Sequence, residues 1–215
     1  MSFSLILLAA GKSTRFKSHL SKLYHKIGGK TLLEINISKM LNFKQIKRIV
    51  IVYNRKDLQK LKKLKIKNAK LVLGGKTRQE SAYLGLKYLA KFRNTSKVLI
   101  HDAARPNFSL KLLKSIIVNI KNSRAVVPKI IIQDAVKQKM ESSLNEYILG
   151  KNRDSLFLTQ TPQAFNLKEI YHLHKTNAGK YKDDDISLYM DLNKVKFIDG
   201  EKNNFKITNE NDLKM

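Results

Sequence analysis

The stretch LILLAAGKSTRF, Leu5 to Phe16, decides how the rest of the chain is read. Phe3 to Leu8 is a short, nearly unbroken apolar run, the pattern of a strand covered on both faces in a parallel sheet. Ala9, Ala10 and Gly11 then leave no side chain in the way, so a ligand can approach the backbone closely at the strand's carboxyl end. That edge is where open α/β sheets bind nucleotides. Ser13, Thr14 and Arg15 follow with donors, and Lys22 adds a charge. GKST does not close a Walker A loop: Ile6 stands where that loop needs its first glycine, so consecutive N–H groups cannot curl around phosphate. The competing reading is a tight strand-to-loop turn that happens to carry basic residues.

Outward from this stretch, strand-like and helix-like segments alternate. TLLEINISKML has helical spacing, RIVIVY reads as a strand, KDLQKLKKL as a helix and KLVLG as a strand. TRQESAYLGLKYLAKF reads as a longer helix, followed by the strand KVLIHD, the helix SLKLLKSIIVNI and the strand AVVP. The alternation predicts an α/β fold, a doubly wound and mostly parallel sheet with helices on both faces. The pattern breaks after Pro128: residues 130 to 150 read as two extended segments around a polar turn, a hairpin arm leaving the body and a candidate dimer contact. An antiparallel edge of the main sheet is the plainer alternative. Further on, NLKEIYHLHKT reads as a helix, DDDISLYMDL as an acid-led helix, and VKFIDG and FKIT as short final strands. No repeat or linker divides residues 1 to 215, which read as one domain.

The composition narrows the function classes. A 215-residue chain with 42% hydrophobic residues can bury one good core, and no apolar run approaches the roughly 18 residues of a membrane span. The absence of a charged leader with a cleavage site, together with zero cysteines, points to a cytoplasmic protein. Zero cysteines also exclude disulfides, a thiolate nucleophile and cysteine-held metal centres. The net charge of +26 invites a nucleic-acid reading. The lysines are scattered, however, and where they cluster, from Leu58 to Lys70, they alternate with apolar residues as a solvated helix face does. No aromatic platform accompanies them, so nucleic acid is expected to bind only nonspecifically.

Four polar islands interrupt strand ends or open helices. They are AAGKSTRF with Lys22; GGKTRQES, where Gly74 and Gly75 end a strand and Arg78 and Ser81 open a helix; IHDAARP, with His101, Asp102 and Arg105; and KITNENDL, with Lys206. A glycine-rich first loop beside basic residues suggests a polyphosphate site, with Asp102 a candidate ligand for Mg2+. Asp102 as a cap of the following turn, and Arg105 as its partner, are the plainer readings. His172 and His174 lie two apart on a helix and so face different ways, which makes them poor metal ligands. Asp183, Asp184 and Asp185 read most simply as negative charge at a helix N-terminus.

The ordered set LAAGKSTRF, SKLY, GGKTRQES, VLIHDAARP, QTPQAF, DDDIS and FKIT resembles the methylerythritol phosphate cytidylyltransferase family along the whole chain. The resemblance implies a Rossmann-like nucleotidyltransferase fold and transfer of CMP from CTP, with Mg2+, to a sugar-alcohol phosphate. Arg15 and Lys22 match the family's transition-state stabilisers. Ala9, Ala10, Gly11, Ser13, Gly74, Gly75, Ser81 and Asp102 match CTP-binding positions. Asp102, Arg105, Arg153, Thr161 and Lys206 match positions near the sugar phosphate, and the hairpin arm implies a homodimer.

Four positions depart from the family. Ser21 precedes Lys22 where proline is usual, Lys76 replaces an acidic residue, Ala135 a hydroxyl residue and Asp183 a threonine. The chain also stops at NDLKM, where the family continues into a helix, as a shortened chain or the front of a bifunctional one would. A ribitol 5-phosphate cytidylyltransferase is the nearest alternative, and a basic nucleic-acid-binding protein the alternative of another class.

Overall fold

The computed structural model describes residues 2–11, 16, 21–64, 66, 69–92, 94–139, 147–149, 152–180 and 182–214. The opening run forms strand β1 (Phe3–Ala9), and its two faces explain its unbroken hydrophobicity. Phe3, Leu5 and Leu7 point to one side, where they meet Leu33, Ile37 and Met40 of helix α1 (Leu32–Leu41) and Leu113 and Ile116 of α4 (Leu110–Asn119). Ile6 points to the other, against Leu86 and Leu89 of α3 (Arg78–Leu89) and Ile170 of α5 (Leu167–Thr176). Alternation of Cβ direction along one strand thus feeds two cores. Each of these four helices starts on a side-chain cap: Thr31 with Glu34 as a capping box, then Thr77, Ser109 and Asn166. The short α2 (Leu58–Lys63) lies in the same chain order, between strands four and five.

The remaining strands are β2 (Lys26–Ile27), β3 (Lys30–Thr31), β4 (Ile46–Tyr53), β5 (Ala69–Leu73), β6 (Lys97–Asp102) and β7 (Ala125–Ile131). They continue with β8 (Lys137–Lys139), β9 (Tyr147–Leu149), β10 (Phe157–Thr159), β11 (Gln163–Asn166) and β12 (Val195–Asp199). β6, β1, β4 and β5 lie side by side and parallel. β11 runs antiparallel between β6 and β7, β10 pairs with the far end of β7, and β12 adds in parallel on β7's other side. From β1 the chain winds outward through β4 and β5, then returns to place β6 on β1's opposite flank. The strand order reverses between β1 and β6, and a crevice opens there at the carboxyl edge.

Three expectations change. The arm begins later than residue 130: Ile130 and Ile131 belong to β7 and pair with Leu158 and Phe157, whereas β8 and β9 form a separate two-stranded sheet. Keeping the end of β7 in the main sheet pairs its backbone with β10, which a hairpin starting there would forgo. DDDISLYMDL is not an α-helix but a run of bends around one 3-10 turn, Ile186–Leu188: Asp184 Oδ1 caps that turn by accepting the Ser187 N–H at 3.1 Å, while Asp184 Oδ2 and Asp185 are held by other elements. FKIT is not a strand: the Ile207 N–H donates to the Ala104 carbonyl, its carbonyl accepts from Lys22, and the Lys206 side chain reaches Asp102 at the end of β6, with no ladder of pairs along a neighbouring strand among the described residues. No helix among the described residues is long and apolar enough to cross a membrane.

Candidate active site

Two adjoining cavities occupy the carboxyl edge. The smaller, about 260 Å3, is lined by Ala10, Gly11, Lys22, Asn54, Gly75 and Ser81, among others. The larger, about 650 Å3, opens beside it and is lined by Arg105, Thr159, Thr161, Asp183, Asp184 and Tyr189, among others. Arg78, Asp102 and Lys206 line both.

The smaller cavity is shaped by missing side chains. A Cβ on Gly74 would lie 2.4 Å from the Cβ of Ala10, so the ends of β1 and β5 approach as only glycine permits. The Gly75 N–H donates to Ser81 Oγ at 3.1 Å, and that hydroxyl donates to the Thr77 carbonyl at 2.8 Å. Ser81 therefore fixes the glycine backbone from below. Lys22 Nζ donates to the Ile207 carbonyl at 2.7 Å, joining the first loop to the last segment of the chain. Lys76 stands exposed at the rim.

The junction is a string of alternating charge. Asp102 Oδ1 accepts from Arg78 Nε at 3.1 Å and Oδ2 from Lys206 Nζ at 2.7 Å. Arg78 Nη2 donates to Asp185 Oδ2 at 2.8 Å, and Asp185 Oδ1 lies 3.0 Å from His174 Nε2. Burial alone would raise the Asp102 carboxyl, but Arg78 and Lys206 outweigh it and hold the group well below the usual carboxylate range. Asp185 is depressed in the same way, with Arg78 and His174 outweighing its burial. For Arg78, burial works against the charge, and Asp185 and Asp102 more than restore it. Arg105 uses Nη1 on the Asn204 carbonyl at 2.8 Å, and its buried Nε has no hydrogen-bond partner among the described residues.

Behind the junction, His101 is wholly buried. Burial pushes its imidazole down to about 3, so the ring is neutral at physiological pH. Its Nδ1 lies 3.0 Å from Thr161 Oγ1, and its Nε2 lies 2.8 Å from Asn36 Oδ1 and 3.0 Å from the Arg105 carbonyl. The Thr161–Pro162 peptide is cis.

The structure thus brings Ala10, Gly11, Gly74, Gly75, Ser81, Lys22, Asp102, Arg105, Thr161 and Lys206 to one edge, with Ala9 at the end of β1. Ser13 and Arg15 lie outside the described residues. Arg153 is not brought in: it is exposed on a turn at the base of the arm and donates to the Gln133 carbonyl at 2.8 Å. Asp102 is not a helix or turn cap through its side chain, since both carboxylate oxygens face cations. No group of three or more His, Asp or Glu able to hold an ion occurs among the described residues, so an ion beside Asp102 would draw its other ligands from phosphate and water. The acidic run divides its roles. Asp184 Oδ1 accepts the Ser187 N–H at 3.1 Å and so caps the short 3-10 turn, its Oδ2 accepts from Thr159 Oγ1 at 2.6 Å and Gln163 Nε2 at 2.9 Å, and Asp185 is a buried ion-pair partner. Arg78 and His174, which complete the charge string, are the residues that motif reading underrates. Arg78 carries a signal, an arginine at the first helical position after paired glycines, whereas the His174–Asp185 pair carries none.

A doubly wound sheet with a glycine-walled crevice at its switch point, rimmed by lysine and arginine, defines a nucleotide-using transferase of Rossmann-like class. The family model for IspD, 2-C-methyl-D-erythritol 4-phosphate cytidylyltransferase, matches residues 3–215, and the chain belongs to that family. It is 35% identical over 218 residues to the 2-C-methyl-D-erythritol 4-phosphate cytidylyltransferase of Clostridium botulinum (strain Okra / Type B1), covering 98% of this chain and 93% of that protein. It is 43% identical to the bifunctional enzyme IspD/IspF of Pelagibacter ubique (strain HTCC1062), covering all of this chain but 56% of the relative. Among solved structures, 4-diphosphocytidyl-2C-methyl-D-erythritol synthase from Anaerococcus prevotii DSM 20548 superposes with TM-score 0.83 at 33% identity, covering 99% and 92% of the two chains. Bifunctional IspDF from Campylobacter jejuni gives TM-score 0.82 at 28% identity, and this chain spans 54% of its length.

Proposed function

We propose that the chain transfers CMP from CTP to 2-C-methyl-D-erythritol 4-phosphate, releasing pyrophosphate. The observation that carries the reading is the shared wall: Arg78, Asp102 and Lys206 face both cavities, so a nucleotide in one and a phosphorylated alcohol in the other meet at that point. The acceptor's phosphate oxygen attacks the α-phosphorus of CTP. One P–O bond forms, the bond to the leaving pyrophosphate breaks, and no proton has to move because the nucleophile is already an anion. This fits a junction whose imidazole is neutral and turned inward, and whose carboxylate is held between cations. The difficulty is to bring two anions together, which falls to positioned positive charge from Lys22, Arg105 and Lys206.

Magnesium enters this reading with the substrate, as Mg·CTP, bound chiefly by phosphate oxygens and water. Asp102, already flanked by two cations, contributes negative field nearby. The arm and the apolar surface at its base, with Ile131 68% and Leu158 58% exposed, support a homodimer, in which Arg153 would serve the neighbouring site. A cytoplasmic location accords with the cysteine-free composition. The test is pyrophosphate release from CTP and Mg2+ with 2-C-methyl-D-erythritol 4-phosphate, beside ribitol 5-phosphate and a control without acceptor. Release with the first alone is the expected result. Release only with ribitol 5-phosphate would reassign the acceptor, and release with neither would overturn the reading.

A further inference from the structure

We infer that His101 is a positioning residue for the reacting loop, and that Thr161 acts through His101 and Asp102 instead of holding the acceptor's phosphate. The inference rests on the cytidylyl-transfer reading for its kinetic consequence, and on hydrogen-bond directions for its substance.

The directions follow from counting hydrogens. Asn36 is fully buried on α1, and its Nδ2 donates to the carbonyls of Leu32 at 2.8 Å and Ala103 at 2.9 Å. Its Oδ1 therefore faces His101 Nε2 as an acceptor, and the Arg105 carbonyl does the same. Two oxygens against one ring nitrogen require that nitrogen to carry the hydrogen, so Nδ1 of the neutral ring is an acceptor. Thr161 Oγ1 accepts the Asp102 N–H at 3.0 Å and gives its one hydrogen to that Nδ1. An ionised phosphate can only accept hydrogen bonds, and Thr161 has no hydrogen left to give it.

What the relay does is fix the turn that carries Asp102 and Arg105. From one ring and its two partners it holds the Asp102 N–H and the carbonyls of Ala103 and Arg105. Phe108 meets the ring edge-on at 4.8 Å between centroids. The Asp102 carboxylate and the Arg105 guanidinium, which face the cavities, are thereby set relative to β1 and β6. An ordinary buried histidine would satisfy its nitrogens anywhere. This one spends both on the backbone and neighbours of the two residues flanking the junction.

Two measurements test this. In uniformly 15N-labelled protein, two-bond nitrogen–proton couplings of the His101 ring, assigned by loss in His101→Gln, report the tautomer. The expected pattern is a neutral ring protonated at Nε2. A ring protonated at Nδ1 would free the Thr161 hydrogen for substrate and overturn the inference. In kinetics, Thr161→Val is expected to lower kcat at least ten-fold, with the Kd of Mg·CTP within three-fold of wild type and a lowered but still cooperative melting transition, since the Asp102 N–H and His101 Nδ1 lose their partner. Thr161→Ser should restore kcat. Because both residues serve one relay, Thr161→Val with His101→Gln should be no slower than the worse single variant by more than three-fold. A raised KM for the acceptor in Thr161→Val, multiplying with the effect of His101→Gln, would show direct contact and overturn it. If His101→Gln does not fold, the Thr161 pair carries the kinetics, and assignment is made from the remaining histidines. If wild-type protein turns over no acceptor, the functional reading fails while the tautomer still decides the relay.

Discussion

The two cavities that meet at Asp102 are built by different means. The smaller, which the proposed function gives to the nucleotide, is made of backbone and small residues at strand ends: Ala10 and Gly11 after β1, and Gly74 and Gly75 after β5. The larger, which it gives to the acceptor, is made of side chains delivered by β6, β10, the bends at residues 183–185 and the segment near Lys206, across sequence separations of up to 104 residues. Recognition by backbone is a local property of a strand end. Recognition by assembled side chains depends on where irregular segments come to rest. Arg78 belongs to both, since it opens α3 just after the glycines and points into the charge string of the other side.

Removing that shared residue should break the distinction altogether. Arg78→Met leaves Asp102 and Asp185 as buried carboxylates without their common cation, and losing one partner of such a network is destabilising by about 3–5 kcal/mol. Chemical denaturation should show a loss of that size, and pyrophosphate release should vanish. Arg78→Lys, which reaches one carboxylate but cannot fork to both, should recover part of the stability and little of the activity.

The difference between the cavities also explains how unevenly the amino-acid sequence reveals them. The nucleotide side is legible because Phe3 to Gly11 encodes its own burial and its own opening, and because paired glycines after KLVL have few other uses. The acceptor side is legible in its residues but not in its geometry. Asp183 to Asp185 look like a helix start, since acidic residues favour that place. Asp184 does cap a short 3-10 turn, but a tertiary demand competes for the next residue: the half-buried Arg78 pairs with a second carboxylate, and Asp185 supplies it at 2.8 Å. The end of β7 is obscured for a similar reason, because Ile130 and Ile131 look alike in an arm and in a sheet, and only the pairing with β10 separates the two.

A change confined to the nucleotide side should leave the acceptor side intact. Gly74→Ala places a methyl group 2.4 Å from the Ala10 Cβ, and the backbone has to shift to admit it. Overpacking of this kind is expected to destabilise by roughly 1–3 kcal/mol. The KM for CTP should rise ten-fold or more and the KM for the acceptor less than three-fold. Equal rises in both would show that the two walls move as one and that the two sides are not separable.

Acid should act through the wall behind the acceptor side. The His101 folded-state value, about 3, lies below its ordinary 6.5, so the unfolded chain takes up a proton first as pH falls. Stability is therefore present in full above about pH 6.5 and declines as pH drops toward 3. Lowering the pH from 7 to 5.5 should remove roughly 1.3 kcal/mol by proton linkage. Asp102 and Asp185 have depressed folded values, so their contributions persist through this window and fade only below the ordinary carboxylate range. Denaturation midpoints of wild type and Thr161→Val across this range check the slope. A flat profile between pH 7 and 5.5 would mean that His101 is solvated.

The smallest expected effect lies in the first loop. Ser21 precedes Lys22 where the family favours proline, and its φ of −56° already lies in the range that proline imposes. Ser21→Pro should therefore fit the folded backbone while restricting the unfolded chain, a gain of about 0.4–1 kcal/mol. Lys22 is tied to the Ile207 carbonyl at 2.7 Å and so to the segment that carries Lys206. Stiffening the turn before it should lower the KM for CTP by up to two-fold and leave the acceptor KM unchanged. A gain in stability with no kinetic change would place Ser21 in the scaffold alone. A loss of stability would mean that the Ser21 N–H or its preceding residue needs a geometry that proline forbids, and that the family's proline serves a loop differently shaped from this one.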